Sequence, residues 1–213
     1  MDLFESTLII FISHPIRFIN DMDVNALVAA LLGIFYGLNE VYISIKKYSS
    51  SSKDGGTFTY LWIVITCSMI FSTQAIRRGY GLVLIENPSW RYFLVIPVGV
   101  SIFLIGYILR RQAIEQLGQW FTTPIRTVDN QQLIDVGWYS KMRHPSYTGV
   151  LMCFLGLSVL LNNLLSLFGI MLPICSVFLY RIYVEEQVLE KHFGSKYRDY
   201  RQRVPNKIIP KMF

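Results

Sequence analysis

The sequence predicts an all-α polytopic membrane protein, and three observations carry that prediction. The 213 residues are 53% hydrophobic and only 16% charged, where soluble domains carry about 25% charged residues. The mean hydropathy is +0.40. The apolar residues are gathered into long runs separated by short polar punctuation. The expected architecture has about five transmembrane helices, a short apolar N-terminal helix and an amphipathic cytoplasmic C-terminal helix. The chain is read as a single membrane domain, 1–213, with spans one to three in residues 1–110 and the remaining elements in residues 111–213.

Taken in order, Leu3 to Ile19 is apolar but interrupted by His14 and Pro15. It falls short of the roughly 20 residues of a typical span, so it is expected to lie in the interface or re-enter. Val24 to Ile45 is the first span. It carries Glu40, and a carboxylate there must either meet a protein or water partner or sit at headgroup level beside Lys46 and Lys47. The Ser/Gly-rich stretch that follows is expected to be a flexible loop. Phe58 to Ile76 is the second span, closed by Arg77 and Arg78, and Tyr92 to Leu109 is the third, closed by Arg110 and Arg111. From Arg110 to His144 the chain turns polar, yet Trp120, Phe121, Trp138 and Tyr139 are interleaved with it, so this segment should pack against something. Tyr147 to Leu161 forms a fourth span. It approaches a bilayer's width only if Pro145 starts the helix, at the position where its missing N–H costs nothing. Asn162 and Asn163 turn the chain into a fifth span, Leu164 to Tyr183. Helix is expected to continue to Tyr200, with Phe193, Tyr197, Tyr200 and Val204 on one face. Pro205 and Pro210 then end regular structure.

Charge and cysteine usage exclude several functions. From Arg181 to the end there are eight Lys/Arg and four Asp/Glu. Beside apolar spans, such a tail suits anionic lipid headgroups, and no nucleic-acid motif is present. Cys67, Cys153 and Cys175 each lie in an apolar run without CxxC spacing, and His14, His144 and His192 are scattered, so no metal centre is expected. There is no GxGxxG after a strand, no P-loop, no HExxH and no GxSxG. The Lys/Arg bias favours a cytoplasmic C-terminus, with Arg77, Arg78 and Arg91 dissenting.

Two polar groups stand out, GWYSKMRHPSYTG from Gly137 to Gly149 and RIYVEEQVLEKHFG from Arg181 to Gly194. In a helix Arg181 and Glu185 share a face, while Glu186 points about 100° away. The first group suits either headgroup anchors with an aromatic belt or a site whose Arg143 and His144 are set rigidly on a proline-started helix. The second suits either a salt-bridged helix end or the other half of that site.

Together, with a hairpin between them, these stretches resemble the isoprenylcysteine carboxyl methyltransferase family of integral membrane enzymes. The shared pattern runs G-x-Y, R-H-P-x-Y-x-G, an apolar hairpin, R-x-x-x-E-E, F-G-x-x-Y-x-x-Y and V-P, and covers about Gln116 to Pro205. The resemblance implies a methyltransferase using S-adenosylmethionine, with residues 111–213 as its core. It implies an active site on the cytoplasmic side of a prokaryotic inner membrane or the endoplasmic reticulum. Carried over by position, cofactor contacts come from Gln131, Gln132, Leu133, Ile134, Tyr139, His144, Pro145, Ser146, Tyr147 and Glu185. Arg181 matches the position that handles the substrate carboxylate. Arg143, the second catalytic candidate, contacts the cofactor, braces Glu185 or Glu186, or meets lipid phosphate. The implied acceptor is a prenylcysteine-like carboxylate on a lipophilic small molecule or a prenylated peptide. Two other readings stay open: the same fold methylating a phospholipid amine, a thiol or an isoprenoid acid, and a nicotinamide-dependent reductase of sterol-like lipids, a class that shares a polar C-terminal region after its last spans.

Overall fold

Apolar runs of this length can satisfy their backbone in lipid only as helices, and helices account for the spans. The computed structural model describes residues 24–47, 56–123, 125 and 131–209; the expected N-terminal helix and the Ser/Gly-rich loop lie outside the described residues. Among the described residues, four helices are long and apolar enough to cross a membrane. These are α1 (Val24–Lys47), α2 (Thr57–Arg77), α3 (Ile96–Leu117) and the last long helix. Two shorter segments lead into α3, a helical turn at Pro88–Trp90 and a π-helical turn at Arg91–Val95. Pro97 follows directly on that π-helical turn, so the helical ladder is already irregular where the proline lacks an N–H. The fifth apolar helix is α4 (Pro145–Leu160), with 16 residues and so about 24 Å long. The chain is thus a multi-pass, all-helical membrane protein.

α3 departs from expectation. It does not stop at Arg110 but continues to Leu117, where Gly118 (φ 55°) breaks it. The reason is that Arg110 is not a surface terminator. It is buried and paired within the bundle. The division of the sequence at residue 110 therefore falls inside α3, and the added turns supply Gln112 and Gln116 as a platform for the next loop. Gln116 Oε1 accepts from the Trp138 backbone N–H and Gln112 Oε1 from the Trp138 indole, both at 2.9 Å.

α3 and α4 run against each other along two pairs of glycines. A Cβ on Gly106 would come within 2.7 Å of the Gly149 carbonyl oxygen, and one on Gly156 within 2.6 Å of that of Gly99. Small residues at such crossings let backbones approach where no hydrophobic force acts between helices in lipid. The contact makes α4 one of the most enclosed elements, with Gly149, Cys153, Gly156, Leu157 and Leu160 buried. Tyr36, Leu61, Phe103, Ile170, Ile174 and Phe178 complete the core from the other helices. Leu31, Ile34, Leu38, Phe93 and Leu172 face outward, as lipid contact requires.

α5 (Leu164–Phe193) is 30 residues, about 45 Å, and so overshoots a hydrocarbon core of about 30 Å. Asn163 caps it, accepting from the Ser166 N–H at 3.1 Å. Asn162, at φ 50°, makes the reversal before it and exchanges hydrogen bonds with Ile85 (3.1 and 2.8 Å), tying the hairpin to the loop after α2. The expected continuous helix to Tyr200 is instead broken. Gly194 at φ 58° separates α5 from α6 (Ser195–Arg203). Tyr197, Tyr200 and Val204, one face as expected, pack with Leu133, Leu189 and Phe193.

Candidate functional site

The site is assembled where α4 begins and α5 leaves the core. Pro145 sets φ at the first turn of α4, so His144 precedes the helix and Tyr147 is its third residue. On α5, Arg181 and Glu185 occupy the same face, as helical spacing requires. Both meet one hydroxyl. Arg181 Nε donates to Tyr147 Oη at 2.9 Å, and that hydroxyl donates to Glu185 Oε2 at 2.5 Å. Arg181 is buried, and its other nitrogens are held by Thr57 Oγ1 (3.2 Å) and the Thr123 carbonyl. The guanidinium is thereby fixed from three elements before any ligand arrives.

Glu186 has the separate role that its direction on the helix allows. Its Oε1 accepts from Arg143 Nε at 2.7 Å and lies 3.3 Å from His144 Nε2. Arg143 Nη1 donates to the carbonyls of Val204 and Pro205, each at 2.7 Å. Of the roles open to Arg143, its hydrogen bonds match a brace on Glu186 and the chain's C-terminal segment. The His144 ring stacks parallel to that of Tyr147, with centroids 5.6 Å apart. Tyr139 is buried, and its carbonyl accepts from the Tyr200 hydroxyl at 2.7 Å. Loss of solvation, foremost, pushes the Tyr139 and Tyr200 phenols above their ordinary range, so both act as neutral groups.

A cavity of about 260 Å³ opens among these groups. Gln131, Gln132, Leu133, Ile134, Tyr139, Arg143, His144, Ser146, Tyr147, Arg181 and Glu185 all line it. Pro145 does not; it is fully buried behind them. The cavity has two characters. One part is walled by the polar residues just named. The other is apolar, walled by Phe58, Leu61, Trp62, Ile65 and Met69 of α2 with Phe154 and Leu157 of α4. Arg181, Tyr147 and Glu185 line the same cavity as both sets.

Sequence reasoning missed one polar node on this wall. Arg110 Nε and Nη2 donate to the two carboxylate oxygens of Glu40, each at 2.5 Å, and Nη1 donates to Ser146 Oγ at 2.9 Å. Of the two readings open for Glu40, the partnered one holds: it is buried in the bundle, not at headgroup level. Two opposite charges in neighbouring apolar runs were the available clue, since each needs a partner in the membrane. Thr57 and Thr123, which hold Arg181, carried no pattern by which to find them.

The comparisons with known proteins bear on the family and the fold. Residues 80–196 match the family model described as phospholipid methyltransferase. The protein-S-isoprenylcysteine O-methyltransferase of Schizosaccharomyces pombe is 37% identical over 192 residues, covering 84% of this chain and 80% of that one. The chain belongs to the isoprenylcysteine carboxyl methyltransferase family. Protein-S-isoprenylcysteine O-methyltransferase B of Arabidopsis thaliana is 38% identical over 110 residues, 51% of this chain and 56% of that protein. The matched part likewise spans 60% of the rice relatives. Among solved structures, that of the eukaryotic intramembrane Ras methyltransferase ICMT matches with a TM-score of 0.53 at 23% identity, covering all of this chain and 88% of that one. The fold is therefore that of the isoprenylcysteine carboxyl methyltransferases. The family match includes Tyr139, Arg143, His144, Arg181, Glu185 and Glu186 and ends before the C-terminal segment that Arg143 grips.

Proposed function

We propose that this protein is an S-adenosylmethionine-dependent membrane methyltransferase that esterifies the carboxylate of a prenylcysteine-like acceptor, on a lipophilic small molecule or a prenylated protein. The observation that carries this reading is the two-character cavity with Arg181, Tyr147 and Glu185 on its wall. Such a cavity suits a reaction between a hydrophilic donor and a lipid-bearing acceptor. The names of the relatives support the same acceptor class.

The residues on the polar side fit the cofactor. Glu185 presents a carboxylate whose side chain is 27% exposed, suited to an ammonium or sulfonium charge. Tyr139, His144 and Tyr147 offer ring faces, and residues 131–134 run as irregular backbone along the same wall, suited to hydrogen bonding with an adenosine. When bound, S-adenosylmethionine supplies an electrophilic methyl group. The chain's own work is placement. Arg181, already fixed by Tyr147, Thr57 and Thr123, orients an acceptor carboxylate by its charge. Because three of its nitrogens are engaged by protein, it holds the nucleophile without fully quenching it. A carboxylate is ionised at neutral pH, so no general base is required, and the rate should vary little with pH near neutrality. Alignment of this kind is worth up to about 7–11 kcal/mol of barrier. The site is proposed to face the cytoplasm.

The test is incubation of the purified protein with tritiated S-adenosylmethionine and a farnesylcysteine analogue. Base-labile, volatile label in the product is the expected outcome, and label in an amine or thioether would overturn the acceptor assignment. Glu185→Gln should weaken S-adenosylhomocysteine binding in calorimetry, whereas Arg181→Ala should impair acceptor use while leaving that binding near the parent value.

A further inference from the structure

The C-terminal segment after α6 is not a trailing end. Val204, Asn206, Lys207 and Ile208 lie along the Arg143–Thr148 stretch and bond to it repeatedly. The Arg143 N–H donates to the Asn206 carbonyl and the His144 N–H to the Lys207 carbonyl, both at 2.9 Å. Thr148 Oγ1 donates to the Ile208 carbonyl at 2.7 Å. Arg143 Nη1 reaches the carbonyls of Val204 and Pro205, so one guanidinium joins this strap to Glu186. Just upstream, Tyr200 donates to the Tyr139 carbonyl (2.7 Å) and Arg203 pairs with Asp135 (2.8 Å). Leu133 packs with Tyr197, Tyr200 and Val204. Residues 195–208 therefore touch three of the wall segments assigned to the cofactor: 131–134, Tyr139 and His144.

We propose that Arg143 and the strap Val204–Ile208 form a positioning clasp whose ordering is coupled to occupancy of the cofactor half of the cavity. This rests on the cofactor assignment made above. The physical reason is pairing. Without the strap, the Arg143 and His144 N–H groups and one nitrogen of a buried guanidinium lose their acceptors, and unpaired buried donors are costly. His144 and Glu186 then lose their fixed geometry. Because binding linkage is reciprocal, a cofactor that needs the closed clasp also holds it closed. Arg143 is on this account a positioning residue rather than a catalytic one.

Three measurements on the full chain in nanodiscs test the clasp. In the first, S-adenosylhomocysteine affinity is compared between the parent and a chain ending at Arg203. A loss of about tenfold or more is expected from several buried bonds, with the KM for a farnesylcysteine analogue changed less than that for the cofactor. In the second, Thr148→Val, which removes the hydroxyl bonded at 2.7 Å to Ile208 and at 3.2 Å to the His144 carbonyl, should lower cofactor affinity severalfold, and Thr148→Ser should restore it. In the third, trypsin cleavage after Arg203 and Lys207 of the parent should slow on saturation with S-adenosylhomocysteine. This last readout stands even if the shortened chain does not fold. Equal cofactor affinity in parent and Thr148→Val, or cleavage indifferent to the cofactor, overturns the clasp alone. A parent chain that binds no S-adenosylhomocysteine overturns the cofactor assignment and the clasp together.

Discussion

Replacing Glu40 by glutamine should be among the most damaging single changes available in the membrane body. Both side chains of the Glu40–Arg110 pair are 9% exposed, and the closest approach is 2.5 Å. With charge centres about 4 Å apart and an effective dielectric of about 20, their attraction is about 4 kcal/mol. Glutamine keeps the shape and one acceptor oxygen but takes the Glu40 counter-charge away from the buried Arg110, and breaking a buried pair from one side costs about 3–5 kcal/mol. At about 2–4 °C per kcal/mol for a chain of this size, the unfolding midpoint should fall by about 6–20 °C. The assay is thermal unfolding followed by tryptophan fluorescence in a single detergent at fixed scan rate. The double change Glu40→Leu with Arg110→Met removes both charges and should recover most of the loss, because apolar replacement of a whole buried pair is often neutral. A Glu40→Gln midpoint within about 2 °C of the parent, or a double variant as unstable as the two single losses added together, would refute the reasoning.

Two further outcomes follow from the same geometry. Gly106→Val places a side chain into the Gly149 carbonyl and the Met152 and Cys153 atoms of α4, and backbone cannot yield as a side chain can. The helices should separate, and folded protein recovered by size-exclusion chromatography should fall severely, whereas the same change at Gly33, where nothing lies within 4 Å of the added Cβ, should be tolerated. Tyr147→Phe removes the hydroxyl shared by Arg181 and Glu185. The loss of two charge-assisted bonds, roughly 1.5–3 kcal/mol each, should lower kcat/KM for methyl transfer by at least about tenfold. Parent kinetics in that variant would show that Arg181 is held adequately without it.

Much of this protein was legible in order of residues. Apolar runs of about 20 residues have one outcome in lipid, because a helix alone satisfies their backbone locally. The spans could therefore be read with small boundary errors. Pro145 announced the start of α4, and Asn162–Asn163 its reversal, because both act through local backbone geometry. The spacing of Arg181, Glu185 and Glu186 fixed which acids share a face, since that follows from helical pitch alone. The errors were of two kinds. Arg110 looked like a helix end because a local rule cannot tell a charge at the surface from one with a distant partner; helix was carried on to Tyr200 through Gly194, whose φ of 58° breaks it.

What only the tertiary structure decided is the pairing. Glu40 meets Arg110 across 70 positions, Glu186 meets Arg143 across 43, and Arg181 meets Thr57 across 124. In lipid, apolar faces are nearly interchangeable, so hydropathy dictates that helices form but not which ones touch. That choice falls to close-packed glycines and to buried charges, each of which is stable only with its own partner. Composition and periodicity made a membrane bundle inevitable, and these few long-range contacts turned the bundle into a site.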